Sequence, residues 1–471
     1  MRVAAIDQGT TSTRVLVLEG GDCRVVSTKT HGQFWPRMSW VEQDAEEILA
    51  NIRWCLEAAG PVDAIAIANQ GESCLAWDAV TGEPLSRVIS WQDSRTAGWI
   101  QQLKNAGGED TTLSRAGLPL DAYFAASKLA WLLKNNDAVQ TAMKKGRLRL
   151  GTTDAFFLDR LTGRFSTDVT TASRTSLMNL ATCEWDPELC ALFDIPIDLL
   201  PKIQPTASNF GEINGVPVLT SIVDQQASLY GHGCRDPGDM KITFGTGAFA
   251  LALTGTAPID TKGSGALSTV AWQTPAGAMY AIDGGVYDAG AAVDWLRRIS
   301  LFDSVDDVCS FPNATAIERD LVFVPALSGR GSPHWDRSGA ALWLGMTSAT
   351  TRSDLCQAAL EGIALRTVEL TNAIDSLMSV RAHISVDGGL SQNAYFVQFL
   401  ADASGREVWT YDMPELTGFG AAAMALDALT GNVTPPLAPS RKWRPQRDGR
   451  SWLSRFANAV ARAKGWRGTM G

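Results

Sequence analysis

Several classes of protein are excluded by what this sequence has little of. Its 471 residues include four histidines and eight cysteines. The cysteines stand at positions 23, 55, 74, 183, 190, 234, 309 and 356 with no Cys-x-x-Cys pair, and the histidines are dispersed. Neither set has zinc spacing, so no structural metal is expected. Scattered thiols in a core-rich chain read as the reduced cysteines of a cytoplasmic protein. No stretch approaches the ~18 consecutive apolar residues that span a bilayer. Asp7 interrupts the first apolar run after four residues, which does not fit a signal peptide. A formal net charge of −9 argues against nucleic acid or an anionic membrane as partner. The dipeptide Gly-Lys occurs nowhere, and its absence removes the Walker phosphate loop.

The dinucleotide fingerprint fares little better. Its two weak matches are Gly245-Thr246-Gly247-Ala248-Phe249-Ala250 and Gly418-Phe419-Gly420-Ala421-Ala422-Ala423. The fingerprint wants an acid about 20 residues on, yet Gly265 to Ala281 contains none. The second match follows Pro414-Glu415 rather than a strand of any length. These glycines are expected to serve tight turns and close helix packing.

What is present is an α/β pattern whose buried strands end in polar clusters. An apolar content of 45% with 19% charged residues is ordinary globular usage, and the length suggests about two to four domains. Val3 to Ile6 runs into Asp7-Gln8-Gly9-Thr10-Thr11-Ser12-Thr13-Arg14, and Val15 to Leu18 returns at once. This is a hairpin whose tip offers backbone N–H groups and hydroxyls to a phosphate chain, and the Asp7 carboxylate to Mg²⁺. An ordinary β-turn explains the same residues when they are taken alone. Further strands are expected at 24–30, 62–68, 87–90 and 216–222, and a helix at 42–59. The stretch from about 125 to 200 reads as mostly helical. Polar groups then collect at strand ends, at Asn69-Gln70-Gly71-Glu72, at Trp91-Gln92-Asp93 and at Asp224-Gln225-Gln226, as ligand clefts of α/β sheets require.

Arg235-Asp236-Pro237-Gly238-Asp239 is the best turn cluster in the chain and marks the expected boundary between residues 1–235 and 236–471. Beyond it, Met240 to Phe244 enters Gly245-Thr246-Gly247, an echo of the first strand entering Gly9-Thr10-Thr11. A third strand enters glycines at Ile384-Ser385-Val386-Asp387-Gly388-Gly389. The basic helix expected between 449 and 464 reads as packing filler.

In order along the chain, Asp7 to Arg14, Gly151-Thr152-Thr153-Asp154, Thr171 to Thr175, Asp224 to Gln226, Phe244 to Gly247 and Asp387 to Gly389 resemble the motifs of the FGGY carbohydrate kinases. They are most similar to the glycerol kinase branch. The resemblance runs from Arg2 to about Thr430. It implies two actin-like (ribonuclease H-like) α/β domains with ATP and a small polyol in the cleft between them. By resemblance, Thr10, Thr11, Ser12, Arg14 and Thr246 hold the ATP phosphates, and Gly290, Gly389 and Asn393 fall on the adenosine side. Asp7 holds Mg²⁺, directly or through water, and Asp224 is the catalytic base. The polyol positions fall on Gly71, Glu72, Trp91, Tyr123, Asp224, Gln225 and Phe249.

Gly71 is the departure, because glycerol kinases carry an arginine there. A lost charged hydrogen bond costs about 1.5–3 kcal/mol, and the freed space suits a longer substrate. The expected activity is therefore phosphorylation of glycerol or a close relative, with a four- or five-carbon polyol or a ketose as the alternative. A degenerate, inactive sugar sensor is the non-enzyme alternative, and the presence of Asp7 and Asp224 argues against it. A homodimer is an arrangement that an exposed apolar face would allow.

Overall fold

A computed structural model describes residues 1–312, 314–413 and 415–467. The first twelve residues build the spine of a six-stranded sheet. Arg2–Gln8 pairs antiparallel with Ser12–Glu19, and on its other side parallel with Ala64–Asn69. Val216–Val223 continues the parallel side and Asp22–Thr30 the antiparallel one. Val3 to Ile6 and Ala64 to Ala68 are all at most 1% exposed. Such continuous apolar runs are what a strand covered on both faces needs.

A second sheet, of seven strands, repeats the plan. Met240–Phe244 pairs antiparallel with Ala248–Gly255 and parallel with His383–Gly388, which Glu407–Thr410 extends. Gly277–Val286 fills the position that Asp22–Thr30 holds in the first sheet, and Leu267–Thr274 adds an edge. The echo between the two glycine tips is therefore topological as well as sequential. Each tip closes the hairpin beside the central parallel pair of its own sheet.

The expected elements are present with shifted ends. The first long helix is Ala45–Glu57, because the Asp44 carboxylate caps Glu46 and Glu47 and fixes the start; Glu42–Gln43 is a short strand instead. Within the stretch read as helical, Leu148–Thr152 is a strand, pairing with Cys74–Asp78 in a separate five-stranded sheet. That correction has a simple cause: alternate burial of Leu148 and Leu150 over five residues is too short a signal against flanking helices. The terminal helix Trp452–Ala463 buries Trp452, Phe456 and Val460 in the core of the second half. No described helix is long and apolar enough to cross a membrane.

Two helices join the halves. Asp224–Gly231 leaves the first sheet, and Leu416–Thr430 returns from the second half to pack beside it on the first sheet. Their approach is set by glycine. A Cβ on Gly420 would lie 1.9 Å from the Ala227 carbonyl oxygen, and one on Gly231 would lie 2.2 Å from that of Leu416. The glycines of Gly418-Phe419-Gly420 thus serve helix packing, not a nucleotide. Gly420→Ala forces two backbones apart and should cost about 3 kcal/mol, the upper range of overpacking, read as a fall in the denaturation midpoint.

Candidate active site

The strand ends of both sheets converge on one cavity of about 170 Å³. From the first half it is lined by Thr10, Glu72, Trp91, Tyr123, Asp224 and Gln225, and from the second by Thr246 and Phe249. Sequence reasoning singled out all eight. Gly71 lies directly behind, in a left-handed backbone (φ +77°) that glycine adopts freely, with its missing Cβ aimed at Val223 3.3 Å away.

Asp224 is the first residue of its helix, at the end of Val216–Val223. The strand end is pinned from below. The Val223 N–H donates to Thr170 Oγ1 at 2.9 Å, and that hydroxyl donates to buried Asp168 at 2.7 Å. Burial, then the nearby charges of Glu72 and Asp7, push the Asp224 carboxyl up to about 7, against the pull of Lys241. A carboxylate poised near neutrality suits a general base.

The aromatic wall is equally fixed. Trp91 and Tyr123 meet edge to face at 5.7 Å. The Trp91 indole N–H donates to Thr10 Oγ1 at 3.0 Å, so the first hairpin and the pocket share a hydrogen bond. Lys128, fully buried, donates to the carbonyls of Ser90 and Tyr123 and ties the two loops together.

Around the mouth stand the two glycine tips. In the first, the Gly9 N–H donates to the Ser12 carbonyl, leaving the hydroxyls of Thr11 and Ser12 outside the turn. Asp7 and Arg14 are cross-strand partners, 3.8 Å apart at their charged atoms, and Arg14 reaches Glu415 of the second half at 3.2 Å. Burial, then Glu415, raises the Asp7 carboxyl to about 6, with Arg14 opposing. In the second tip, Gly245 and Thr246 are exposed, and the Ala289, Gly290 and Ala291 N–H groups donate to their carbonyls. A Cβ on Gly290 would lie 2.4 Å from the Gly245 oxygen, so Gly290 is where a helix start presses against this turn.

Gly389 and Asn393 lie further along the second half, outside the cavity. Gly389 is exposed, with nothing within 4 Å of a Cβ. Asn393 is buried with its side chain already engaged, donating to the Val308 carbonyl at 2.8 Å and accepting from the Phe396 N–H at 2.9 Å. It shapes the surface near Gly389 rather than presenting its own amide.

Sequence reasoning gave no role to five polar residues of the cavity, Gln70, Arg174, Gln226, Thr243 and Asp283. Arg174 donates through Nε to Glu72 at 2.7 Å and lies 2.9 Å from Asp283 of the second half through Nη2. Burial works against the charge of Arg174, but Glu72 and Asp283 hold its ionisation above the usual arginine range. Gln226 follows the Asp224-Gln225 pair. Arg174 stood inside the motif Thr171–Thr175; Asp283 gave only the hint of an acid within an apolar strand.

Comparison with known proteins agrees with this architecture. The N-terminal domain of the FGGY family of carbohydrate kinases matches residues 2–231, and its C-terminal domain matches 240–429. This chain belongs to the FGGY family of carbohydrate kinases. It is 38% identical to a glycerol kinase of Citrifermentans bemidjiense, over 98% of each protein. It is 36% identical to one of Nitratidesulfovibrio vulgaris, over 98% of this chain and 99% of that protein. The crystal structure of a Plasmodium falciparum glycerol kinase with ADP superimposes with a TM-score of 0.89 at 28% identity, covering 98% of both chains. A ligand-bound xylulose kinase from Lactobacillus acidophilus shares the fold (TM-score 0.87, 22% identity, 98% of this chain and 99% of that one). The FGGY protein described here is accordingly a two-domain, actin-like phosphotransferase that uses an alcohol acceptor, a sugar or polyol kinase using ATP.

Proposed function

We propose that this kinase transfers the γ-phosphoryl group of ATP to a terminal hydroxyl of a small polyol, glycerol or a close relative, with Asp224 as base. The observation that carries the reading is the cavity between the halves, where Asp224 sits among Glu72, Trp91, Tyr123 and Phe249 and faces Thr10 and Thr246. The units that close on it are residues 1–235 and 236–471. Glu72 and Gln225 orient the acceptor's hydroxyls. The ring faces of Trp91 and Phe249 cover its C–H groups. Asp224 accepts the proton of the attacking hydroxyl as the new bond forms.

Thr10, Thr11, Ser12, Arg14 and Thr246, with the N–H groups of both tips, bind the polyphosphate without a lysine loop. Gly290, Gly389 and Asn393 shape the nucleoside side. Asp7 would hold Mg²⁺. Among the described residues its carboxylate has one cationic neighbour, Arg14 at 3.8 Å. A single carboxylate completed by phosphate oxygens and water is the usual Mg²⁺ arrangement. When bound, the ion neutralises charge on the polyphosphate. The enclosing aromatic walls exclude water, the competing acceptor.

The alternative is a four- or five-carbon polyol or ketose, since Gly71 brings no side chain to the acceptor. ADP release should depend on a polyol. With glycerol, erythritol, xylitol or xylulose, at least one acceptor should raise the rate a hundredfold over ATP alone. An equal rate with and without every acceptor contradicts the reading.

A further inference from the structure

Residues lining the cavity carry buried polar atoms that find no partner among the described residues, and besides Gln70 Oε1 there are three. They are Nη1 of Arg174, Oδ1 of Asp283 and Oε1 of Gln226. Their residues are 4%, 7% and 2% exposed, and all three line the cavity that Asp224 lines. Unsatisfied buried polar groups are rare in folded proteins, and each calls for a partner. The set comprises one charged donor and two acceptors. A hydroxyl, which donates and accepts at once, satisfies such a set.

The group is rigid as well as unspent. Arg174 is clamped at Nε by Glu72 and at Nη2 by Asp283, so Nη1 is held in place by two ion pairs. Neighbouring Ser173 meets Thr269 at 2.9 Å, and the Gln226 amide donates toward the Val270 carbonyl at 3.4 Å. The cluster is thus built across both halves and completed only when they are together.

We infer that Arg174, Asp283 and Gln226 form a hydroxyl-reading subsite, which makes the preferred acceptor a polyol with at least one hydroxyl beyond the three of glycerol. The inference rests on the kinase reading above. An added hydroxyl accepts from Arg174 Nη1 and donates to Asp283 Oδ1 or Gln226 Oε1. A site built to pair a hydroxyl rejects an analogue lacking it, because its own groups are then left unpaired.

The test compares erythritol with butane-1,2,3-triol, which lacks one terminal hydroxyl, and with glycerol, by coupled ADP release on the full chain. Erythritol is expected to exceed both in kcat/KM by at least tenfold. In Asp283→Asn the advantage should shrink to below threefold, through loss with erythritol rather than gain with glycerol. Arg174→Lys, which keeps the charge but not the fork, should shrink it similarly. If either variant fails to fold, the two substrates on the parent protein still decide. Glycerol used as well as erythritol, or an Asp283→Asn variant that keeps the tenfold preference, overturns the subsite and leaves the kinase reading intact. No turnover above ATP alone with any acceptor instead overturns the kinase reading, and the subsite with it.

Discussion

Asp224→Asn lowers polyol-dependent turnover by about a thousandfold, within the range general-base catalysis supplies, while ADP binding changes less than twofold. The amide keeps the shape of the carboxylate and its place at the helix start, but cannot take the acceptor's proton. The parent protein should also show an acid limb in its rate profile. The proposed base works unprotonated, and burial with Glu72 and Asp7 raises Asp224 to about 7, so kcat/KM for the polyol should rise with pH between about 6 and 8 and be level above. Groups that set this limb are Glu72 and Asp7, which raise it, and Lys241, which lowers it. An ordinary carboxylate near 3.8 would leave the profile flat across that range. A fully active Asp224→Asn protein would transfer the role of base elsewhere.

Lys241→Met carries the second large effect. Lys241 is 0% exposed on the strand Met240–Phe244. Its ammonium donates to Gln225 Oε1 at 2.5 Å and to Thr243 Oγ1 at 2.9 Å. Burial lowers its ionisation, and Asp387, Asp224 and Asp283 oppose that fall. Methionine keeps the length and removes the donor, leaving buried acceptors and carboxylates uncompensated. Removing one partner of a buried charged group costs about 3 kcal/mol or more, so the unfolding midpoint should drop markedly in denaturant. The acid limb should move to higher pH, because the group that lowers Asp224 is gone. A merely structural lysine would lower stability and leave the limb where it was.

The fold was legible because its signals are long and apolar. Val3 to Ile6 and Ala64 to Ala68 are apolar runs that suit strands covered on both faces, and each leads into a polar cluster visible in sequence. The site was legible wherever a cavity residue follows a strand, as at Glu72, Trp91, Asp224 and Thr246. Arg174 and Asp283 were not, since they lie 109 positions apart in sequence and meet only where the halves close. Nothing local marks a pair that exists through tertiary contact. Asn393 shows the opposite limit. Resemblance put Asn393 on the adenosine side, and the fold spends its amide on the Val308 carbonyl and the helix start at Phe396. Leu148–Thr152 was obscured for a third reason, a strand too short to announce its period between two helices.

The central claim is that the phosphoryl group reaches an alcohol rather than water. Phosphorus NMR of a reaction with Mg²⁺, ATP and glycerol or erythritol tests it most directly. A new phosphomonoester resonance should grow in step with ADP, one for one, and should be absent in Asp224→Asn. Growth of inorganic phosphate alone, with no ester formed, would contradict the account.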